Sequence, residues 1–90
     1  MSLRTSPWKI VKRMHISDKA IRKIKEQNTI VVMVGLEFNK RQVKRAVEEL
    51  FDVEVEKVNT MITPLAEKKA YVTLRPEYSA LDLAIDLGIL

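Results

Sequence analysis

The apolar positions of this chain change period several times, and each change marks an element. Val43, Ala46, Val47, Leu50 and Phe51 recur at i, i+3, i+4, i+7 and i+8, the stripe of a helix packed on one side. Asn39 supplies an N-cap with Gln42 three residues on, and Phe38 and Val43 are spaced as a hydrophobic staple across it. An earlier helix is predicted over 18–27, with Ser17 as cap, Ala20, Ile21 and Ile24 inward, Ile16 and Ile21 as staple, and Asn28 able to end it. A last helix follows Ser79, with Asp82 at the capping-box position, Tyr78 and Leu83 as staple, and Gly88 as its stop.

The strands carry a different signal. Residues 30–36 are almost wholly apolar and β-branched, which predicts a strand in the middle of a sheet, covered on both faces or nearly so. Val53 and Val55 alternate with Glu54 and Glu56, but continuing that phase would turn Lys57 inward and Val58 outward. A β-bulge near Glu56 and Lys57 repairs the phase, so one is expected there. That strand runs to about residue 63, residues 64–67 turn, and residues 69–75 alternate, with Ala70, Val72 and Leu74 on one face and Lys69, Tyr71, Thr73 and Arg75 on the other. The last two strands are expected to form a hairpin. Residues 1–16 show no period and read as an extended basic leader. The expected fold is α+β, in the order helix, strand, helix, strand, strand, helix. It is an antiparallel sheet of three or four strands with three helices packed mainly on one face. Residues 17–90 form a single domain behind the leader.

Composition narrows the class. Ninety residues with 47% hydrophobic content, two glycines and three prolines describe one small globular domain. There is no cysteine, hence no disulfide framework and no thiolate metal site, which fits a reducing compartment. The longest apolar run is too short to cross a bilayer, and the N-terminus lacks the apolar core of a secretory signal. No membrane insertion is expected. The net charge of +4 conceals an asymmetry: residues 1–45 hold 12 Lys and Arg against 3 Asp and Glu, and residues 46–90 hold 4 against 9. Such polarity has two readings, a basic surface facing a polyanion or an ordinary solvated surface with its charges spread unevenly along the chain.

Catalytic chemistry is hard to find. The single histidine, His15, sits in the leader with Asp18 as its one nearby acid and reads as an exposed residue. Asp82 and Asp86 share a helix face but have no third ligand, and two isolated glycines cannot build a phosphate loop. No enzyme, metal, cofactor or small-molecule substrate is expected. Binding chemistry is easier to find. Lys40, Arg41, Lys44 and Arg45 load the first turns of the central helix, where the partly positive helix end disfavours cations. Lys40/Lys44 and Arg41/Arg45 repel at i, i+4, and Lys44/Glu48 and Arg45/Glu49 offset part of this. A bound phosphate reverses the balance. Lys69, Tyr71 and Arg75 on one strand face suit RNA, where a ring stacks on an unpaired base. Trp8, among Lys9, Lys12 and Arg13, has two roles open to it: stacking on a base or docking on the core. The segment KKAYVTL is similar to an RNA-recognition-motif signature, yet Lys69 stands where a stacking aromatic belongs and Lys68 where its glycine belongs, and no fourth strand is legible.

The longer segment NKRQVKRAVEELFDVEVEKVNTMI, followed by KKAYVTL, resembles the family of the twenty-third large-subunit ribosomal protein, found at the peptide tunnel exit. With ISDKA ahead and YSALDLAIDLGIL behind, the resemblance covers about residues 16–90. It implies a structural protein of the large ribosomal subunit in the cytoplasm. Its partners would be large-subunit ribosomal RNA, a neighbouring ribosomal protein at the tunnel exit, and a nascent-chain factor such as signal recognition particle. The family's RNA-facing positions map onto Lys19, Asn39, Lys40, Lys44, Lys57, Asn59, Thr60, Lys69 and Tyr71. Together with Lys12, Arg13, Arg41 and Arg45 from the charge pattern, these are the expected ribosomal-RNA contacts. The short 63–68 connection lacks the bacterial hairpin tip, and the chain lacks the eukaryotic basic extension, so the archaeal type is expected. The competing readings are a small adaptor with a basic face and a free-standing single-strand RNA binder.

Overall fold

The apolar run at the centre of the chain is buried at every position, and the sheet is built around it. In the computed structural model, which describes residues 6–90, the elements are α1 (Pro7–Ile10), β1 (Val11–Met14), α2 (Asp18–Gln27), β2 (Thr29–Val34), α3 (Lys40–Phe51), β3 (Val55–Ile62), β4 (Lys68–Leu74) and α4 (Ala80–Asp86). The sheet has four antiparallel strands in the order β1-β2-β4-β3. β2 is therefore an inner strand, as its unbroken apolar character requires. It stops at Val34, two residues short of the expected end. There the Gly35 N–H donates to the Ile10 carbonyl, and Leu36 turns out to solvent. A Cβ on Gly35 would lie 2.8 Å from the Phe38 ring, so the close approach of Phe38 to this turn requires glycine.

One face of the sheet carries the core. Ile30, Val32 and Val34 of β2, Val55 and Val58 of β3, and Ala70, Val72 and Leu74 of β4 pack with Val43, Ala46 and Val47 of α3 and with Ala80 and Ala84 of α4. Each fully buried Val, Leu or Ile among these contributes about 1.5–3 kcal/mol. Leu50 and Phe51, expected inside, are half-buried against this cluster. The opposite face bears Thr29, Val31 and Met33, then Lys69, Tyr71 and Thr73, then Lys57, Asn59 and Met61, because residues paired across antiparallel strands share a face.

The bulge expected in the third predicted strand is present: the register shifts between Val55 and Lys57, so Glu56 and Lys57 together oppose Thr73. The leader reading needs correction. Residues 1–5 lie outside the described residues, but Pro7–Ile10 form a helical turn packed against α3, and Val11–Met14 pair with β2 as a fourth strand. Ile10 and Val11 are buried. The strand was illegible because it has four residues and its own register shift, between Val11 and Arg13, which sets Lys12 and Arg13 against Met33 and erases the alternation. Trp8 is 77% exposed, so it does not dock on the core, and His15 is half-buried, with its backbone N–H donating to the Val31 carbonyl.

The caps follow the sequence closely. Ser17 accepts from the Ala20 N–H, Ser79 from the Asp82 N–H, and Asn39 and Gln42 exchange both bonds of a capping box at 2.9 Å. Ile16 is 57% exposed, so its expected staple to Ile21 buries little. Asn28 does more than end α2. It adopts a left-handed conformation (φ 51°), its Nδ2 donates to the carbonyls of Leu74, Arg75 and Tyr78, and its Oδ1 accepts from the Ala80 N–H at 2.7 Å. One side chain thus ties the α2–β2 corner to the end of β4 and the start of α4.

Candidate nucleic-acid interface

On the face away from the core, the polar side chains of β2, β4 and β3 form the floor of an open groove, and α2 forms a wall. The groove has a volume of about 500 Å³ and is lined by Lys19, Lys23 and Gln27 of α2, Thr29 of β2, Glu56, Lys57 and Asn59 of β3, and Tyr71 and Thr73 of β4. The Lys23 ammonium lies 5.2 Å from the centre of the Tyr71 ring, a cation–π arrangement. The Tyr71 hydroxyl points to the Met61 sulfur at 3.4 Å. Thr29 and Thr73 share a hydroxyl hydrogen bond at 2.9 Å, and Thr29 also donates to the Gln27 carbonyl. A second, shallow hollow continues the face beneath the β1–α2 connection, lined by His15, Ser17, Lys19, Ala20, Lys23, Val31, Lys69 and Tyr71.

The fold therefore gathers Lys19, Lys57, Asn59, Lys69 and Tyr71 onto one surface from α2, β3 and β4. Lys23, Gln27, Thr29, Glu56 and Thr73 line it too and were not singled out from the sequence. Lys23 had a usable signal, since it follows Lys19 by one helical turn and shares its side of α2. Lys12 and Arg13 face the same side at the other end of the sheet, and Arg13 reaches Glu67 at 3.4 Å. Thr60 pairs with Ala70 and so points to the core side. Arg75 is held by Glu54 at 3.7 Å and does not line the groove.

The second basic surface lies across the sheet. Lys40, Arg41 and Arg45 are exposed and Lys44 is half-buried on α3, whose first turn has no acidic residue and whose last turn has no basic one. Among the described residues none of the four forms an ion pair. The expected Lys44/Glu48 pair is replaced, because the Glu48 carboxylate accepts from the Val55 N–H at 2.9 Å where β3 begins. A charge-assisted bond to backbone is worth about 1.5–3 kcal/mol, more than an exposed i, i+4 pair. The capping box also engages the N–H groups of Asn39 and Gln42, which leaves those of Lys40 and Arg41 open in the first turn. Lys68, by contrast, is structural: its ammonium donates to the Phe38 carbonyl at 2.6 Å and fixes the approach to α3.

Among the described residues, no three His, Cys, Asp or Glu side chains stand where they could hold a metal ion, and no helix is long and apolar enough to cross a membrane. The residues that are brought together offer ammonium groups, amides and one aromatic ring, a set suited to phosphates and bases. Residues 9–81 match the family described as Ribosomal protein L23. That span runs from the end of α1 into α4, and takes in both basic surfaces; it shares residues 16–81 with the expected resemblance. The chain belongs to the ribosomal protein L23 family, whose members are structural, non-enzymatic components of the large ribosomal subunit.

Proposed function

We propose that the two basic surfaces hold large-subunit ribosomal RNA from both sides of the sheet, near the exit of the peptide tunnel. The open groove takes an unpaired stretch: Lys19 and Lys57 meet phosphates, Tyr71 offers a ring, and Asn59 offers an amide. On the far side, Lys40, Arg41, Lys44 and Arg45 grip the backbone of a second RNA segment, with Asn39 at the helix cap and Thr60 on the same side of the sheet, and Lys12, Arg13 and Lys69 extend the open face. The observation that carries this reading is the convergence of Lys19, Lys57, Asn59 and Tyr71, far apart in sequence, in one groove.

The archaeal type of the family is favoured by the β3–β4 connection. Residues 63–67 close tightly, with the Thr63 N–H donating to Glu67 and the Ala66 N–H to Thr63, so no long tip extends from the sheet. Docking of a neighbouring ribosomal protein and of a nascent-chain factor such as signal recognition particle follows from the family and belongs to this proposal, as does a cytoplasmic location. Co-sedimentation of the chain with large subunits at moderate salt tests the reading. The parent should travel with the subunit, and Lys19→Glu with Lys57→Glu should reduce its incorporation. A chain that stays in the supernatant would favour an adaptor role instead.

A further inference from the structure

Glu56 is the one carboxylate among the residues that line the groove, in company with Lys19, Lys23 and Lys57. A surface meant only to attract phosphate gains nothing from it. Among the described residues, Glu56 makes no hydrogen bond or ion pair, although three lysines line the same groove, and the side-chain amides of Gln27 and Asn59 make none either. The floor beside them is already satisfied, since Thr29 and Thr73 bond each other. The groove thus presents an unused carboxylate and two unused amides close to a half-buried tyrosine ring.

We propose that Glu56 makes this groove selective for an unpaired guanine of RNA, an inference that rests on the reading of the groove as an RNA site. The argument is one of matching edges. A carboxylate offers two acceptor oxygens and no donor. On its base-pairing edge, guanine carries two adjacent donors, the ring N1–H and the exocyclic amino group, which a carboxylate accepts together. Adenine and cytosine each offer one amino donor beside a bare ring nitrogen, which would face the carboxylate lone pairs. Uracil offers one N–H between two carbonyls. The remaining guanine acceptor, its carbonyl oxygen, can take an amide N–H from Asn59 or Gln27. Tyr71, whose ring is partly exposed, stacks on the base, and Lys23 and Lys57 accompany the flanking phosphates. The bulge makes this combination possible. Val55 is fully buried on the core side, so simple alternation puts Glu56 on the open face, and the register shift then keeps Lys57 on that face too.

The test uses the full chain and uridine heptamers with a central guanosine, inosine, adenosine, cytidine or uridine. Affinity and the amide shifts of Asn59 and Tyr71 are followed by heteronuclear NMR. The guanosine heptamer should bind about tenfold more tightly than the adenosine one, the scale of one good bidentate contact, with inosine between them because it lacks the amino group. Glu56→Gln, an exposed position on an edge strand, should weaken the guanosine heptamer and leave the other heptamers as tight or tighter, because they lose only a negative charge, so that the guanosine-to-adenosine ratio falls to within about twofold. If Asn59 and Tyr71 shift with every heptamer but without base preference, the groove binds RNA and the guanine assignment is wrong. If the preference survives Glu56→Gln, Glu56 is not its source. If no heptamer moves these amides, the groove reading fails with it.

Discussion

On α3, four cations come from one unbroken stretch, Lys40 to Arg45; on the open face, Lys19, Lys57 and Tyr71 come from three elements far apart in the chain. Both surfaces are basic, but they differ in what they cost the free protein. The α3 cations sit against the helix dipole, at about 0.3–1 kcal/mol per residue near the terminus, and repel at i, i+4 by about 0.2–0.5 kcal/mol per pair. Among the described residues nothing neutralises them. The groove has local compensation: Lys23 rests over the Tyr71 ring, and Glu56 stands among the lysines. Charge alone is enough to explain what α3 can recognise, namely phosphate. The groove adds a ring, amides and a carboxylate, so it can also recognise a base.

The comparison breaks most sharply at Asn28. Its side-chain hydrogen bonds, two N–H groups spread over three carbonyls and one N–H accepted, hold α2, the groove wall, to β4 and α4. Each contributes about 0.5–1.5 kcal/mol, and its left-handed backbone disfavours alanine. Asn28→Ala should lower stability by about 3 kcal/mol in a thermal melt; Asn28→Gly, which tolerates φ 51° but lacks the bonds, should recover only a fraction of that. Next in size is Tyr71→Ala, which should weaken binding to a single-stranded RNA by about 1–3 kcal/mol in a fluorescence titration. Its effect on the free fold should be small because the ring faces away from the core cluster. Lys40→Glu reverses the trade on α3. By relieving the dipole and the Lys40/Lys44 repulsion, it should raise the stability of the free protein by a few tenths to about 1 kcal/mol while RNA affinity drops. The smallest effect lies away from both surfaces. The Tyr78 hydroxyl donates to the Glu54 carboxylate at 3.1 Å, and this bond and the Glu54 charge raise its pKa above the ordinary value of 10.0. The native state then holds the phenolic proton more tightly than the unfolded chain. The associated stability is full below pH 10 and is lost as pH rises through the native value. In a Tyr71→Phe background, an ultraviolet titration should show Tyr78 ionising late, and Glu54→Gln should bring it down.

The contrast between the two surfaces also explains what could be read in the sequence. The α3 stripe, its capping box and its run of cations are local patterns with fixed spacing, and they appear where expected. The bulge at Glu56 and Lys57 was legible because Val58 had to return to the core. β1 was not, since its register shift falls within four residues and leaves no period. Lys19, Lys57, Asn59 and Tyr71 were legible as residues but not as a groove, because their meeting depends on strand order, which no single segment encodes. Asn28 showed only its local role as a helix stop; its other partners lie between residues 74 and 80. Glu56 carried no signal in sequence beyond a solvent-facing position on a strand.

The central claim is that the two surfaces bind one RNA through different physics. The most direct measurement is the salt dependence of binding to a large-subunit ribosomal-RNA fragment, compared between Lys40→Gln/Lys44→Gln and Tyr71→Ala. With about six phosphates engaged, the parent should lose roughly three decades of affinity between 50 and 200 mM salt. The α3 double variant should flatten the slope by about one per lysine removed from a phosphate, and Tyr71→Ala should lower affinity with the slope unchanged. An α3 variant that binds with the parent's affinity and slope, or a Tyr71→Ala chain that binds as tightly as the parent, would contradict the account.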